Sequence, residues 1–210
     1  MLGVEQSGHM VNIGYELYCK MVDDAVRALQ GEIVNENREE TSVEIPVSAY
    51  IPERYIENES LKLQMYKKIA GVHTYDDEDE IIDEMLDRFG DVPRETVNLV
   101  KIAHIRYLAG EMSVTRIHQE KNDSTPIAGK SKLAKAAAAN TNVRIVFTFA
   151  QKNPLSGFAL FNLNDRYGNR VFVHGGVEPF IRLTCSPKNM LDEVIDALDI
   201  LNEGKKGKSN

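Results

Sequence analysis

The chain has 210 residues, enough for one good-sized domain or a domain with an appendage. An apolar share of 42 % beside 27 % charged residues fits a globular protein, and no apolar run approaches the roughly 20 residues of a membrane span. The net charge of −7 is concentrated between Asp76 and Asp91, where nine acids face one base, Arg88. That stretch carries −8, which repels nucleic acid and suits a basic protein partner.

The start, residues 1–14, has neither a basic region nor a continuous apolar core, so no secretory signal is expected. Cys19 and Cys185 lie far apart in apolar stretches, as free buried thiols do, and no disulfide framework or metal spacing is present. A reducing cytoplasm is the expected compartment.

Met10, Ile13, Leu17, Met21 and Ala25 recur at helical spacing, with Gly31 as the stop, so residues 1–31 are expected to form a helical tail. Residues 32–41 carry five acids or arginines without periodicity and read as a linker. Val43, Ile45 and Val47 alternate with polar positions as a half-buried strand does, and Pro46 places it at an edge. Three helices follow. Leu61, Met65, Ile69 and Val72 mark the first; Ile81, Ile82, Met85, Leu86 and Phe89 mark the second, ending at Gly90; Val97, Val100, Ala103, His104 and Leu108 mark the third, with Pro93 near its start.

Beyond Val114 the texture changes. Val143, Ile145, Phe147 and Phe149 alternate as a strand. Phe158–Leu163 and Arg170–His174 flank the turn-rich residues 164–169 and are expected to form a hairpin. Ile181, Leu183 and Cys185 give another strand. Ser186 and Pro187 start a last helix that buries Leu191, Val194, Ile195, Leu198 and Leu201. Residues 205–210 are basic and small and are expected to form a disordered tail. Helices first and strands later, without βαβ alternation, predict an α+β domain over residues 42–204: a helical segment, then a mixed or antiparallel sheet with packed helices.

Signals for chemistry fail on inspection. Ala128–Gly129–Lys130–Ser131 ends like a phosphate-binding loop, but Ser124 stands where the first glycine is needed and no apolar strand precedes it. The acids from Asp76 to Glu80 resemble a calcium loop, yet Ile81 occupies a ligand position; a helix N-terminus, which favours acids, explains them better. The histidines have no ligand spacing, and His104 on an apolar face reads as a satisfied core residue. No catalytic residue, cofactor site or metal site is expected in this chain.

The second helix carries the one surface that stands out. At 100° per residue its apolar positions span about 140°, while Glu80, Asp83, Glu84 and Asp87 cluster opposite them. Glu84 and Asp87 are neighbours three residues apart, with only Arg88 placed along the helix to relieve them. Such a face is either solvated or a docking surface for arginines.

Three stretches together resemble the bacterial transcription-repair coupling factors, ATP-driven translocases that remove stalled RNA polymerase. They are Leu2–His9 with Gly14–Tyr18, which is similar to the second half of a translocation motif shared in part with the helicase RecG; Val47–Pro52 with Tyr55, Ile56 and Leu61–Ala70; and Glu84–Pro93 running into a long helix. Order and spacing agree over residues 1 to about 118, and more loosely beyond.

The resemblance implies that Gln6, Ser7, Gly8 and His9 are the remnant of a motif coupling ATP hydrolysis to DNA movement. The motif's first half and both motor domains, with their ATP, Mg and DNA contacts, are absent from the chain. It implies further that the rest is a carboxy-terminal regulatory domain packing on the amino-terminal UvrB-like module of the same protein. There it would mask the surface that recruits UvrA until RNA polymerase stalls. Carboxylates of an E-x-x-D-R-F-G motif contribute to that clamp, and here they are Glu84 and Asp87. A different expectation is a free-standing acidic module that binds a basic partner in trans. A nucleic-acid module using Lys130, Lys132, Lys135 and Arg144 is a further one.

Overall fold

The computed structural model describes residues 41–120, 142–150 and 155–206. The described residues fall into two compact units, one over Val47–His104 and the other over residues 41–46 and Ile105 onward. The expected tail helix, residues 32–40 of the expected linker, the Gln6–His9 segment and the residues around Lys130 lie outside the described residues.

The first unit is helical. Helix α1 (Glu59–Ala70) begins where the Asn58 side chain accepts a hydrogen bond from the Leu61 N–H, and it buries Met65 and Ile69. Helix α2 (Tyr75–Phe89) buries Ile81 and Met85 and stops at Gly90, whose φ of 82° favours glycine. Helix α3 (Arg94–Glu111) starts just after Pro93, and its Arg94–His104 portion supplies Leu99, Val100 and Ile102 to this core. The stretch Val47–Ile56 forms no helix or strand but is fastened by hydrogen bonds. The Tyr50 N–H donates to Glu95 O at 3.1 Å, the Asn98 amide to Ser48 O at 2.9 Å, and the Ile51 N–H to the Tyr66 hydroxyl at 3.0 Å.

The second unit is built on a five-stranded sheet in the order β1-β2-β3-β5-β4. The strands are β1 (Ser42–Glu44), β2 (Val114–Gln119), β3 (Val143–Phe149), β4 (Val171–His174) and β5 (Phe180–Cys185). Only β1 and β2 are parallel; Ile117 lies opposite Val43 on one side and Phe147 on the other, and Phe147 lies opposite Ile181. These four residues are all buried and line one face. Helix α4 (Gly157–Tyr167) packs on α5 (Met190–Lys206), which meets β5 and buries Leu191, Val194, Ile195, Leu198 and Leu201 as the spacing predicts. The fold is therefore α+β with a mixed sheet.

Four expectations change. Phe158–Leu163 is not a hairpin strand but the body of α4, because the Ser156 hydroxyl caps the Ala159 N–H at 3.0 Å and Ala159, Leu163 and Tyr167 repeat every four residues on the buried side. The hairpin is instead β4–β5, turning over residues 175–179 with Gly176 at φ 127°. Strand β1 is an edge strand as Pro46 requires, but it ends at Glu44, so Ile45 is buried beyond it and Val47 has left the sheet. Helix α5 begins at Met190 rather than at Ser186; residues 186–189 form a turn closed by the Asn189 N–H on Ser186 O.

Candidate functional site

Helix α2 concentrates charge that a helix must accommodate, and the sequence supplies the means at its start. The Thr74 hydroxyl accepts from the Asp77 N–H at 3.2 Å, while Asp77 Oδ2 accepts from the Thr74 and His73 N–H groups at 2.9 Å each. This capping box satisfies donors that an uncapped helix leaves bare. The His73 and Thr74 bonds hold the Asp77 carboxyl below its ordinary range.

Glu78 departs from the expected pattern. It is a charged residue turned inward, 9 % exposed, and its Oε1 lies 2.6 Å from Nδ1 of His104, which is 1 % exposed. The Tyr75 ring meets the imidazole edge-on at 5.1 Å. His104 is thus the satisfied core histidine expected, and its partner is an acid that had been counted with the surface. The signal was available: Glu78, Ile81 and Met85 share one face at spacings of three and seven.

Further along, the apolar arc is narrower than predicted, since Leu86 is 47 % exposed while Ile81 and Met85 are buried. Phe89 closes the arc against Tyr55, with ring centroids 6.0 Å apart, and the Tyr55 hydroxyl lies 3.0 Å from both Met85 O and Gly90 O.

Glu84 and Asp87 differ in their surroundings. Asp87 is exposed and has no ion-pair partner among the described residues, as have Glu80 and Asp83 on the same face. Glu84 is half-buried, and both its oxygens are occupied: Oε2 by Lys68 Nζ and Oε1 by Arg88 Nη1, each at 2.5 Å. Lys68 first and Arg88 second hold the Glu84 carboxyl below its usual value. Beside Arg88, the one base the spacing along the helix offers, α1 brings Lys68 alongside Glu84 as a second. Arg88 is held in turn by the Phe89 ring, 4.9 Å from its guanidinium, and by Met65 Sδ at 3.8 Å.

Among the described residues no group of three His, Cys, Asp or Glu side chains is placed to hold a metal, and no helix is long and apolar enough to cross a membrane. A shallow open cleft lined by Tyr50, Pro52, Glu53, Arg54, Glu57 and Glu95 has neither a serine nor a cysteine nucleophile.

The family model of the TRCF domain matches residues 45–139, the region that contains α1, α2, α3 and the paired Glu84. Transcription-repair-coupling factors of Bacillus subtilis and Borreliella burgdorferi are 29 % and 30 % identical over 81 % and 82 % of this chain. That of Staphylococcus aureus is 36 % identical over 56 %. The chain belongs to the transcription-repair coupling factor family. Its fold matches a crystal structure of the C-terminal domain of a transcription-repair coupling factor with a TM-score of 0.64, covering 81 % of this chain and 96 % of the other at 18 % identity. The aligned region spans 13 % and 14 % of the length of the Bacillus and Borreliella relatives, so it corresponds to one small part of those coupling factors.

Proposed function

We propose that this chain is the regulatory carboxy-terminal domain of a transcription-repair coupling translocase, and that the acidic face of α2 docks on the amino-terminal UvrB-like module of the same protein. Docking there masks the UvrA-recruiting surface until the motor engages a stalled RNA polymerase. On this reading ATP and Mg chemistry belongs to motor domains and not to the region that matches the TRCF domain. The supporting observation is the exposed row of Glu80, Asp83 and Asp87 on a helix whose opposite side is committed to the core. Carboxylates of this kind make charge-assisted bonds to arginines. Exposed pairs are weak, which suits a contact that must be released.

The surroundings of Glu84 decide how to test this. Reversing Glu84 would set three cations together at the α1–α2 junction, whereas Asp87 has no ion-pair partner among the described residues. The experiment is a pull-down of UvrA by the full-length protein carrying Asp87→Arg and Asp83→Arg, beside the unmutated form. Gated docking predicts UvrA capture by the variant without a stalled polymerase. Equal capture by both forms contradicts it and leaves a solvated face.

A further inference from the structure

Resting on that docking reading, the ion cluster around Glu84 assigns a regulatory part to a residue outside the E-x-x-D-R-F-G motif. Lys68 from α1 and Arg88 from α2 both pair with Glu84, while Asp87 stands one turn along α2 with no ion-pair partner among the described residues. A partner's arginine approaching Glu84 therefore meets a neutralised carboxylate, with each oxygen already accepting a short charge-assisted bond.

The two resident cations are not equivalent. Arg88 stands one turn along the same helix, and its guanidinium is also held by the Phe89 ring and Met65 Sδ. Lys68 belongs to the other helix, its side chain is 50 % exposed, and Glu84 is its only ion-pair partner among the described residues. A lysine is a flexible point charge that can turn to water at small cost, whereas an arginine can bind both carboxylate oxygens through its planar fork.

We infer that Lys68 is an internal competitor for Glu84, which holds the docking carboxylate occupied in the undocked state and must swing away when a partner's arginine takes its place. The undocked chain keeps a pair that docking has to break, so docking is weakened by whatever that pair contributes. Exposed pairs of this kind correspond to about a two- to five-fold change in an equilibrium constant. The competitor also sets the response to salt. Removing Lys68 makes this acidic face more negative by one charge, so its attraction for a cationic surface is screened more steeply. Removing a surface cation from a docking face thus strengthens docking, opposite in sign to removal of Asp87.

The test titrates the whole 210-residue chain into the separately expressed UvrB-like module by calorimetry, at low and at physiological ionic strength. Four forms are compared: unmutated, Lys68→Gln, Glu84→Gln, and both together, each with its melting temperature measured. The expected result is about two- to five-fold tighter docking for Lys68→Gln, a steeper salt dependence, and no gain from Lys68→Gln when Glu84 is already Gln. Lys68→Arg, a stronger competitor, is expected to dock more weakly than the unmutated chain. Unchanged or weaker docking by Lys68→Gln, while the unmutated chain binds, overturns the competitor role alone. A gain that persists beside Glu84→Gln also overturns it, because the effect then does not pass through that carboxylate. Absence of binding by every form defeats the docking reading itself, a separate outcome.

Discussion

Glu78→Ala is the perturbation that most directly tests how α2 is anchored. The carboxylate is 9 % exposed and lies 2.6 Å from an imidazole that is 1 % exposed, so neither group has water to fall back on. Deleting one partner leaves His104 Nδ1 buried without its bond, and an unsatisfied buried group of this kind costs about 1–3 kcal/mol. The expected loss is therefore about 2 kcal/mol. Glu80→Ala, two residues along and exposed, should stay within about 0.5 kcal/mol. In urea, with a slope of about 2 kcal/mol per molar, the Glu78→Ala midpoint should fall by about 1 M while that of Glu80→Ala hardly moves. Replacing both members, Glu78→Leu with His104→Leu, should recover much of the loss, since no orphaned group then remains. Equal midpoints for Glu78→Ala and Glu80→Ala would refute the buried pair as the anchor of α2.

Two further outcomes follow from shifted acidities. Asp77 and Glu84 both titrate below their ordinary values of 3.8 and 4.5, so the stability they confer is complete above those values and disappears as pH falls through their lower folded values; thermal melts of Asp77→Asn and the unmutated chain should differ at neutral pH and converge as the Asp77 carboxyl is protonated in acid, and a constant difference would contradict the capping role. Burial pushes the Cys185 thiol up to about 12, so in a Cys19→Ser background the native protein should resist iodoacetamide at about pH 8 and react only when denatured; rapid native labelling would show that the strand end opens.

Legibility in the sequence followed the range of the interactions. Helices α1, α2 and α3 were readable because Met65–Ile69, Ile81–Met85 and Leu99–Val100 lie within continuous periodic runs, and Pro93 and Gly90 mark ends by their own backbone chemistry. Strand β3 was readable because Ile145, Phe147 and Phe149 alternate on a buried face, although Val146 on the other face is buried as well. Strand β2, in contrast, was not foreseen: Val114 and Ile117 are its only apolar residues, and its place between β1 and β3 comes from partners about 30 to 75 residues away. Helix α4 was mistaken for a strand because Phe158 and Phe161 are 65 % and 67 % exposed, so its most β-like residues lie off its buried side. On α2, Asp87 is exposed as helix periodicity predicts. Lys68 and His104 come to Glu84 and Glu78 from other helices, and no spacing within α2 encodes them.

What the acids of α2 cost the fold bears on why they are there. Asp76, Asp77 and Glu78 lie in the first turn, where the helix dipole favours them, and Asp77 and Glu78 are further used by the cap and by His104. Glu84 is neutralised by Lys68 and Arg88. Glu80, Asp83 and Asp87 have no such relief. They repel one another and Glu84 at spacings of three and four, and Asp87 lies in the last turn, where the dipole disfavours an anion. Folding alone gives no reason to keep Asp87, since a lysine there would answer both penalties. A cationic surface laid against α2 removes the same penalties, so docking and helix stability draw on one electrostatic term, and each should strengthen the other by the same amount. In the docking proposed above, Asp87 is thus a residue that the isolated domain would be better without and the docked one would use.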